Sequence, residues 1–343
     1  MQGAEGHGGV SEIDSNRSKM IDGFGRRISY VRLSVTDRCD LRCRYCMAEH
    51  MQFLPKRDIL TLEEMASLAD VLIARGVRKI RLTGGEPLVR KGVMELVRSL
   101  GARIGAGLDE LTLTTNGTRL EGFARELRAA GVRRINVSLD SRRADRFGHI
   151  TRGGDLSQVL RGIDAALAAA IAIKINMVAL AGLNDDEIDE MLRWCASKGL
   201  DLTLIETMPL GDVEEDRTAH YLPLTDVKSR LEERFTLVPS TRRTGGPSRY
   251  FEVPELGSRV GFITPLSNNF CDGCNRIRIA ATGTVYGCLG HDQKVELRDA
   301  IRSGGTATVN ELLDRLLSGK PRRHEFRIGG APAVARHMSV TGG

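Results

Sequence analysis

Tyr30-Val31-Arg32-Leu33-Ser34-Val35 runs directly into Thr36-Asp37-Arg38-Cys39-Asp40-Leu41-Arg42-Cys43-Arg44-Tyr45-Cys46, so a strand pattern leads into a cysteine-bearing loop. Successive side chains of a strand alternate in direction, which puts Val31, Leu33 and Val35 on one face and Tyr30, Arg32 and Ser34 on the other. Further strand patterns follow at Lys79–Thr83, Leu111–Thr115, Arg134–Leu139, Ile173–Ala179 and Leu202–Glu206. Between them lie helical patterns at Thr61–Arg75, Val93–Ile104, Gly122–Ala130, Ser157–Ala170 and Asp185–Lys198. Thr61 and Glu64 have capping-box spacing, and Gly76 supplies a stop for that helix. Six βα units with short links predict an α/β fold with a parallel sheet. A doubly wound sheet covers both faces with helices and reads apolar throughout. Here Ile135, Val137 and Leu139 oppose Arg134, Asn136 and Ser138, and Ile173, Ile175 and Met177 oppose Lys174 and Asn176. A face that stays polar on several strands predicts a partial (βα)6 TIM-type barrel whose lumen holds a polar ligand, unlike a closed barrel packed with apolar side chains.

Working outward, residues 21–211 are expected to form that barrel, 1–20 a flexible N-terminal tail, and 212–343 a smaller C-terminal domain. The βα rhythm stops near Asp212, leaving short strands at Gly261–Thr264 and Arg276–Ala281 and a late helix around Val309–Leu317. The chain has 343 residues and 41% apolar content, enough for a full core. Its net charge of +6 is a mild excess with interspersed signs, and only 15 aromatics are present for stacking, which argues against nucleic acid. No run approaches 18 apolar residues, so no membrane span is expected. Met1–Asn16 lacks the apolar stretch of a signal peptide, and a cytosolic location follows. Disulfides are rare there, so seven cysteines need another explanation.

Six of those cysteines form two triplets. Cys39, Cys43 and Cys46 have C-x3-C-x2-C spacing on the loop leaving the first strand. Clustered cysteines bind a metal or a cluster as thiolates. A zinc knuckle with His50 as fourth ligand is one reading. The other is a cubane cluster with three protein ligands and one open iron. Loops at the C-terminal ends of barrel strands carry function, and Thr83-Gly84-Gly85-Glu86-Pro87 ends the second strand. Glycines there let backbone approach a ligand, and Glu86 could accept from an amine. The second triplet, Cys271, Cys274 and Cys288, has C-x2-C-x13-C spacing, with Arg276 and Arg278 alternating on a short strand inside it. A zinc ribbon, a structural cluster and a substrate-facing cluster all remain open on spacing alone. Cys195 sits in a helical pattern beside Trp194 and reads as a buried core residue. No G-x4-G-K-[ST] loop occurs, so nucleotide phosphates would need scattered basic residues.

The Cys39–Cys46 triplet with Tyr45, followed by Gly84-Gly85-Glu86-Pro87, resembles the radical S-adenosylmethionine (SAM) superfamily. Phe24–Met47, Lys79–Arg90, Leu113–Gly117, Arg134–Asp140, Cys271–Arg278 and the Gly342-Gly343 pair resemble one family within it, the GTP 3′,8-cyclases. That resemblance implies two 4Fe–4S clusters, one on each triplet, and SAM on the open iron of the first. It implies a 5′-deoxyadenosyl radical that abstracts H3′ of GTP held at the second cluster. The C3′ radical then attacks C8 to give 3′,8-cyclo-7,8-dihydro-GTP, at the start of molybdopterin synthesis. Carried over by position, Tyr45, Gly85, Ser138 and Met208 would contact SAM. Arg32, Arg81, Thr114, Lys174, Arg276 and Arg278 would contact GTP, and Gly342 and Gly343 would act in catalysis.

The family usually carries Arg two residues before the Ile-Glu pair of the sixth strand, where this chain has Thr203. An Arg restored there is expected to tighten GTP binding. The resemblance also implies an external flavodoxin- or ferredoxin-like one-electron reductant and hand-over to the next enzyme of molybdopterin synthesis, and it admits a homodimer. Two competitors stand beside it: a radical SAM maturase acting on a peptide or protein, whose auxiliary cluster would have four cysteines, and a non-catalytic module with two zinc sites.

Overall fold

A computed structural model describes residues 19–211, 218–329 and 332–342. The first strand is β1 (Tyr30–Ser34), and α1 (Leu62–Ala74) follows it with the capping box in place. Thr61 N–H donates to Glu64 Oε2 at 2.7 Å and Glu64 N–H to Thr61 Oγ1 at 3.2 Å, which satisfies two of the helix's orphan donors. Met65, Leu68, Ala69, Leu72 and Ile73 form its buried stripe. The alternation continues through β2 (Lys79–Thr83), α2 (Val93–Gly101), β3 (Glu110–Thr115), α3 (Leu120–Ala129) and β4 (Arg134–Ser138). Then come α4 (Ala144–Thr151), α5 (Leu156–Ala168), β5 (Ala172–Ala179), α6 (Ile188–Ser197) and β6 (Asp201–Glu206). All five sequential pairings from β1 to β6 are parallel, with Arg32 beside Arg81 and Asn176 beside Thr203.

The six strands follow the sequence reading to within one residue at each end. α4 was not expected. It splits the connection after β4, because Ser141 and Arg142 are tied to Glu187 and leave room for an extra turn-and-helix before α5. The expected helix Asp185–Lys198 begins as a 3-10 turn over Asp185–Glu187 before α6.

The later part of the chain forms α7 (Leu224–Glu232), β7 (Val238–Pro239), β8 (Arg249–Val253), β9 (Ser258–Ile263), β10 (Arg276–Ile279), β11 (Thr284–Tyr286), β12 (Lys294–Glu296), α8 (Gly305–Ser318) and the short α9 (Met338–Thr341). These strands do not make a separate layer. The sheet order is β12-β11-β10-β1-β2-β3-β4-β5-β6-β9-β8-β7, so β10 pairs parallel with β1 and β9 parallel with β6. The C-terminal third therefore flanks the barrel on both edges and supplies lumen walls of its own. This follows from an open six-stranded barrel, whose two edge strands otherwise present unpaired backbone groups.

One apolar core runs between the sheet's outer face and the helices, including Val31, Leu33, Ile80, Leu82, Ile135, Val137, Ile173 and Ile175. Cys195 is fully buried within it, and burial pushes its thiol up. Met20, placed by sequence in a tail, is fully buried with its N–H donating to Arg75 O. Among the described residues no helix is long and apolar enough to cross a membrane.

Candidate active site

The lumen is polar, and its charges are of one sign. Arg32 and Arg81 are 8% and 5% exposed, Lys174 is 5% exposed, and all three point into a cavity that Arg276 and Arg278 also line. The cavity encloses about 120 Å³, and no Asp or Glu stands in its lining. Burial, then neighbouring cations, hold Lys174 well below its ordinary range, and burial with Arg32 and Arg276 does the same to Arg278. Such groups are costly without an anion. Tyr30 lies under them, fully enclosed. Burial pushes its phenol up, but Arg81, Arg32 and Lys79 outweigh this and bring it down to about 7.

The second triplet opens into the same cavity, since Cys271, Cys274 and Cys288 are all in the lining. Cys274 has Lys320 Nζ at 3.6 Å. Burial raises that thiol, but Arg276 and Lys320 lower it further, to a net value below the ordinary one. Lys320 is 2% exposed and is pinned by Gly287 O at 2.8 Å. Arg336 clamps the loop carrying Cys288, donating to Cys288 O at 3.2 Å, Leu289 O at 2.6 Å and His291 O at 2.8 Å. Its guanidinium also covers the Tyr286 ring at 4.1 Å. Neither Lys320 nor Arg336 has a spacing signal in the sequence.

The first triplet lies at the C-terminal end of β1 and outside that cavity's lining. The Gly-Gly-Glu-Pro segment is its backing. Gly85 N–H donates to Thr36 O at 2.9 Å and Glu86 N–H to Arg38 O at 2.8 Å. A Cβ on Gly85 would overlap the Arg38 carbonyl, so only glycine lets the two loops meet this closely. The Glu86 carboxylate accepts from Leu88 N at 2.9 Å, Thr115 Oγ1 at 2.8 Å and Asn116 N at 2.6 Å, so it also braces the loop. Tyr45 donates to Asp140 Oδ2 at 2.7 Å, and Asp140 Oδ1 accepts from Val178 N at 2.9 Å, which ties the triplet to β4 and β5. Burial pushes Cys39 up to about 12, with Glu86 and Asp40 adding to it. Those thiols are suited to become thiolates only against a cationic centre.

The donor chemistry fits two clusters. Within each triplet the cysteines influence one another's titration, so they are neighbours. Yet among the described residues no three Cys, His, Asp or Glu side chains close on a single-ion point. One zinc ion with bonds near 2.3 Å would need them to. A cubane takes its thiolates on different irons, and each triplet offers three cysteines to it.

The structure thus brings Arg32, Arg81, Lys174, Met208, Arg276, Arg278 and the second triplet together, with Met338 near the tail. Thr114 stands behind Arg81, 3.5 Å from its Nη1, while Tyr45, Gly85 and Ser138 lie outside this lining. The tail enters from beside β6. Ala333 N–H donates to Pro209 O and Gly211 N–H to Val334 O, both at 2.9 Å. Gly342 O accepts from Arg278, and a Cβ on Gly342 would overlap Thr83. Gly343 is outside the described residues.

Known proteins place this arrangement. The profile of the Radical SAM superfamily matches residues 33–195, and that of Molybdenum Cofactor Synthesis C matches residues 200–326. SuiB from Streptococcus suis shares the fold with a TM-score of 0.60 at 12% identity, over 86% of this chain and 68% of that one. The barrel and its cysteine loop define a radical SAM enzyme. GTP 3′,8-cyclase of Sinorhizobium medicae is 58% identical over 336 residues, covering 96% of each chain. That of Erythrobacter litoralis is 58% identical over 95% of this chain and 99% of its own. The chain belongs to the GTP 3′,8-cyclase family of molybdenum-cofactor synthesis, which works with SAM and 4Fe–4S clusters.

Proposed function

We propose that Cys39, Cys43 and Cys46 hold the cluster that binds SAM, and that Cys271, Cys274 and Cys288 hold a second cluster facing GTP. The observation that carries this is a cavity lined by five cationic side chains and the second triplet, with no carboxylate among them. When bound, the reduced first cluster with SAM supplies the radical that takes the H3′ atom from the ribose. Everything else falls to the chain's own groups. Arg32, Arg81 and Lys174 offset the phosphate charge in a water-poor site, where each contact is worth more than at the surface. Arg276 and Arg278 border the guanine end beside the second triplet. Tyr45, Gly85, Ser138 and Met208 frame SAM, with Tyr45 oriented by Asp140. Holding C3′ against C8 turns bond formation into a step within one bound molecule.

The ring closed between C3′ and C8 needs one electron and one proton to become 3′,8-cyclo-7,8-dihydro-GTP. An external flavodoxin- or ferredoxin-like donor in the cytosol meets the electron requirement of the enzyme. The product passes to the next enzyme of molybdopterin synthesis. Anaerobically reconstituted protein, reduced and incubated with SAM and GTP, should yield 5′-deoxyadenosine and an isomer of GTP with altered retention. Deuterium placed at C3′ should appear in the 5′-deoxyadenosine. Deuterium that stays in the nucleotide pool would sink the assignment of C3′ as the hydrogen donor.

A further inference from the structure

Lys320 reaches the second triplet without facing the lumen, and the site so far described gives it no task. It is the second residue past α8, and its N–H donates to Leu317 O at 3.2 Å, so the end of that helix fixes its backbone. The side chain is 2% exposed and lies outside the lining of the cavity, whereas Cys274 and Gly287 belong to that lining. Its Nζ donates to Gly287 O at 2.8 Å and meets Cys274 Sγ at 3.6 Å. A Cβ on Gly287 would stand 3.3 Å from Lys320 Cγ, so the glycine that follows β11 lets the stem pass this closely. Among the described residues no carboxylate pairs with this ammonium.

Arg26 fixes the same segment. Its Nε donates to Asp22 Oδ2 at 2.6 Å, its Nη1 to Cys271 O at 2.9 Å and Arg322 O at 2.7 Å, and its Nη2 to Pro321 O at 2.8 Å. One guanidinium thus joins the first cysteine of the triplet to the two residues that follow Lys320. A buried ammonium is costly without an anion, and a carbonyl is not one. The group within reach that can carry the charge is the Cys274 sulfur, as a thiolate on a cluster. One added electron makes a cluster and its thiolates more negative by one charge. A cation in contact with a thiolate stabilises that reduced form more than the oxidised one.

We propose that Lys320 is a positioning residue that raises the reduction potential of the second cluster, and that Arg26 holds its segment against the triplet. The proposal rests on the reading that Cys271, Cys274 and Cys288 carry a cluster. The lysine itself gains and loses nothing. The electron comes from the external donor, and the ammonium favours its residence on the second cluster. Because Lys320 lies outside the lining, it does this without touching the nucleotide.

The test compares the holoenzyme with its Lys320→Met, Lys320→Gln and Lys320→Arg variants, each reconstituted anaerobically and checked for iron content and melting temperature. Redox titration followed by electron paramagnetic resonance reads two signals in one molecule, one that changes on adding SAM and one that changes on adding GTP. At a fixed solution potential the reduced-to-oxidised ratio of the GTP-responsive cluster should fall about tenfold in the Met and Gln variants, which is about 59 mV for one electron. The ratio of the SAM-responsive cluster should hold to within about twofold, and Lys320→Arg should recover most of the loss. Equal shifts of both clusters, or no shift, would overturn the proposal. Loss of the second cluster from both neutral variants would also overturn it, since Lys320 would then be a brace alone. A wild type with about four irons per chain and no GTP-responsive signal would fell the two-cluster reading and the proposal with it. Two signals with unmoved potentials would fell the proposal alone.

Discussion

The two cysteine triplets each supply three thiols, over residues 39–46 and 271–288, yet the charged groups that act on those thiols are of opposite sign. Around Cys39, Cys43 and Cys46 stand Asp40, Glu86 and Asp140. Around Cys271, Cys274 and Cys288 stand Arg276, Lys320 and Arg278. An acidic setting favours a cationic ligand such as a sulfonium, and a basic one an anionic ligand such as a nucleotide. The distinction lies in the second layer of side chains and not in the ligands, where much of a metal centre's tuning resides. The first triplet is also held within one barrel by Gly85, Tyr45 and Asp140, whereas the second is stitched to the tail through Arg336.

Removing one cysteine from each triplet gives the largest effect and the sharpest test of this asymmetry. Cys43→Ala should abolish SAM cleavage altogether. Cys274→Ala should retain some uncoupled cleavage to 5′-deoxyadenosine while losing the cyclised nucleotide. Iron content measured alongside should fall from about eight to about four per chain in each. Equal cyclase activity in the two variants would show that the triplets do not divide the work in this way.

Next in size is loss of Gly342 and Gly343. Gly342 is wedged against Thr83 and held by Arg278, a position that admits no side chain. Deleting both residues should remove cyclised product while cluster absorbance and GTP affinity persist. The tail would then act on the reacting molecule more than on the bound substrate. A truncated enzyme with wild-type turnover would make the tail an ordinary frayed end.

A smaller effect is expected from Arg336→Gln. Its guanidinium takes three carbonyls of the Cys288–His291 loop and pairs with Asp292 at 2.6 Å. Losing these charge-assisted bonds should lower stability by about 2–3 kcal/mol, measured by chemical denaturation. Amide exchange at 288–292 should rise, with little change around Cys39–Cys46. Uniform loosening of both loops would erase the contrast between them.

How much of this was legible in the sequence follows from what each feature depends on. β1 to β6 could be read because alternation and capping are local, as Thr61 and Glu64 show. Both triplets and the lumen cations Arg32, Lys174, Arg276 and Arg278 could be read from spacing and strand phase. The pairing of β9 and β10 with opposite edges of the barrel could not, because it joins segments more than 50 residues apart with no shared pattern. For the same reason Lys320, Arg336, Ser248 and Tyr250 were invisible: each reaches its place through a long-range fold. The bracing role of Glu86 could not be read because its partners, Thr115 and Asn116, sit one strand away.

The smallest expected effect concerns Thr203, where an Arg was expected to add a phosphate contact of about 1–3 kcal/mol, the scale of a charged hydrogen bond. The corner is not vacant. Thr203 is fully buried, Ser248 and Tyr250 crowd the space above Gly261, and Lys174 already faces it. An Arg at this fully buried position brings an overpacking cost of about 1–3 kcal/mol, and it adds a sixth cation to a lumen with no carboxylate in its lining. When GTP binds, whatever the new guanidinium gains from a phosphate is set against that packing cost. Thr203→Arg should therefore destabilise the nucleotide-free protein while changing GTP affinity by less than about 1 kcal/mol in either direction. Thermal unfolding with and without GTP, together with titration calorimetry, reads both quantities. Affinity gained by 2 kcal/mol or more at undiminished stability would mean that the corner is roomier than its side chains indicate, and that the basic character of this region is still short of one charge.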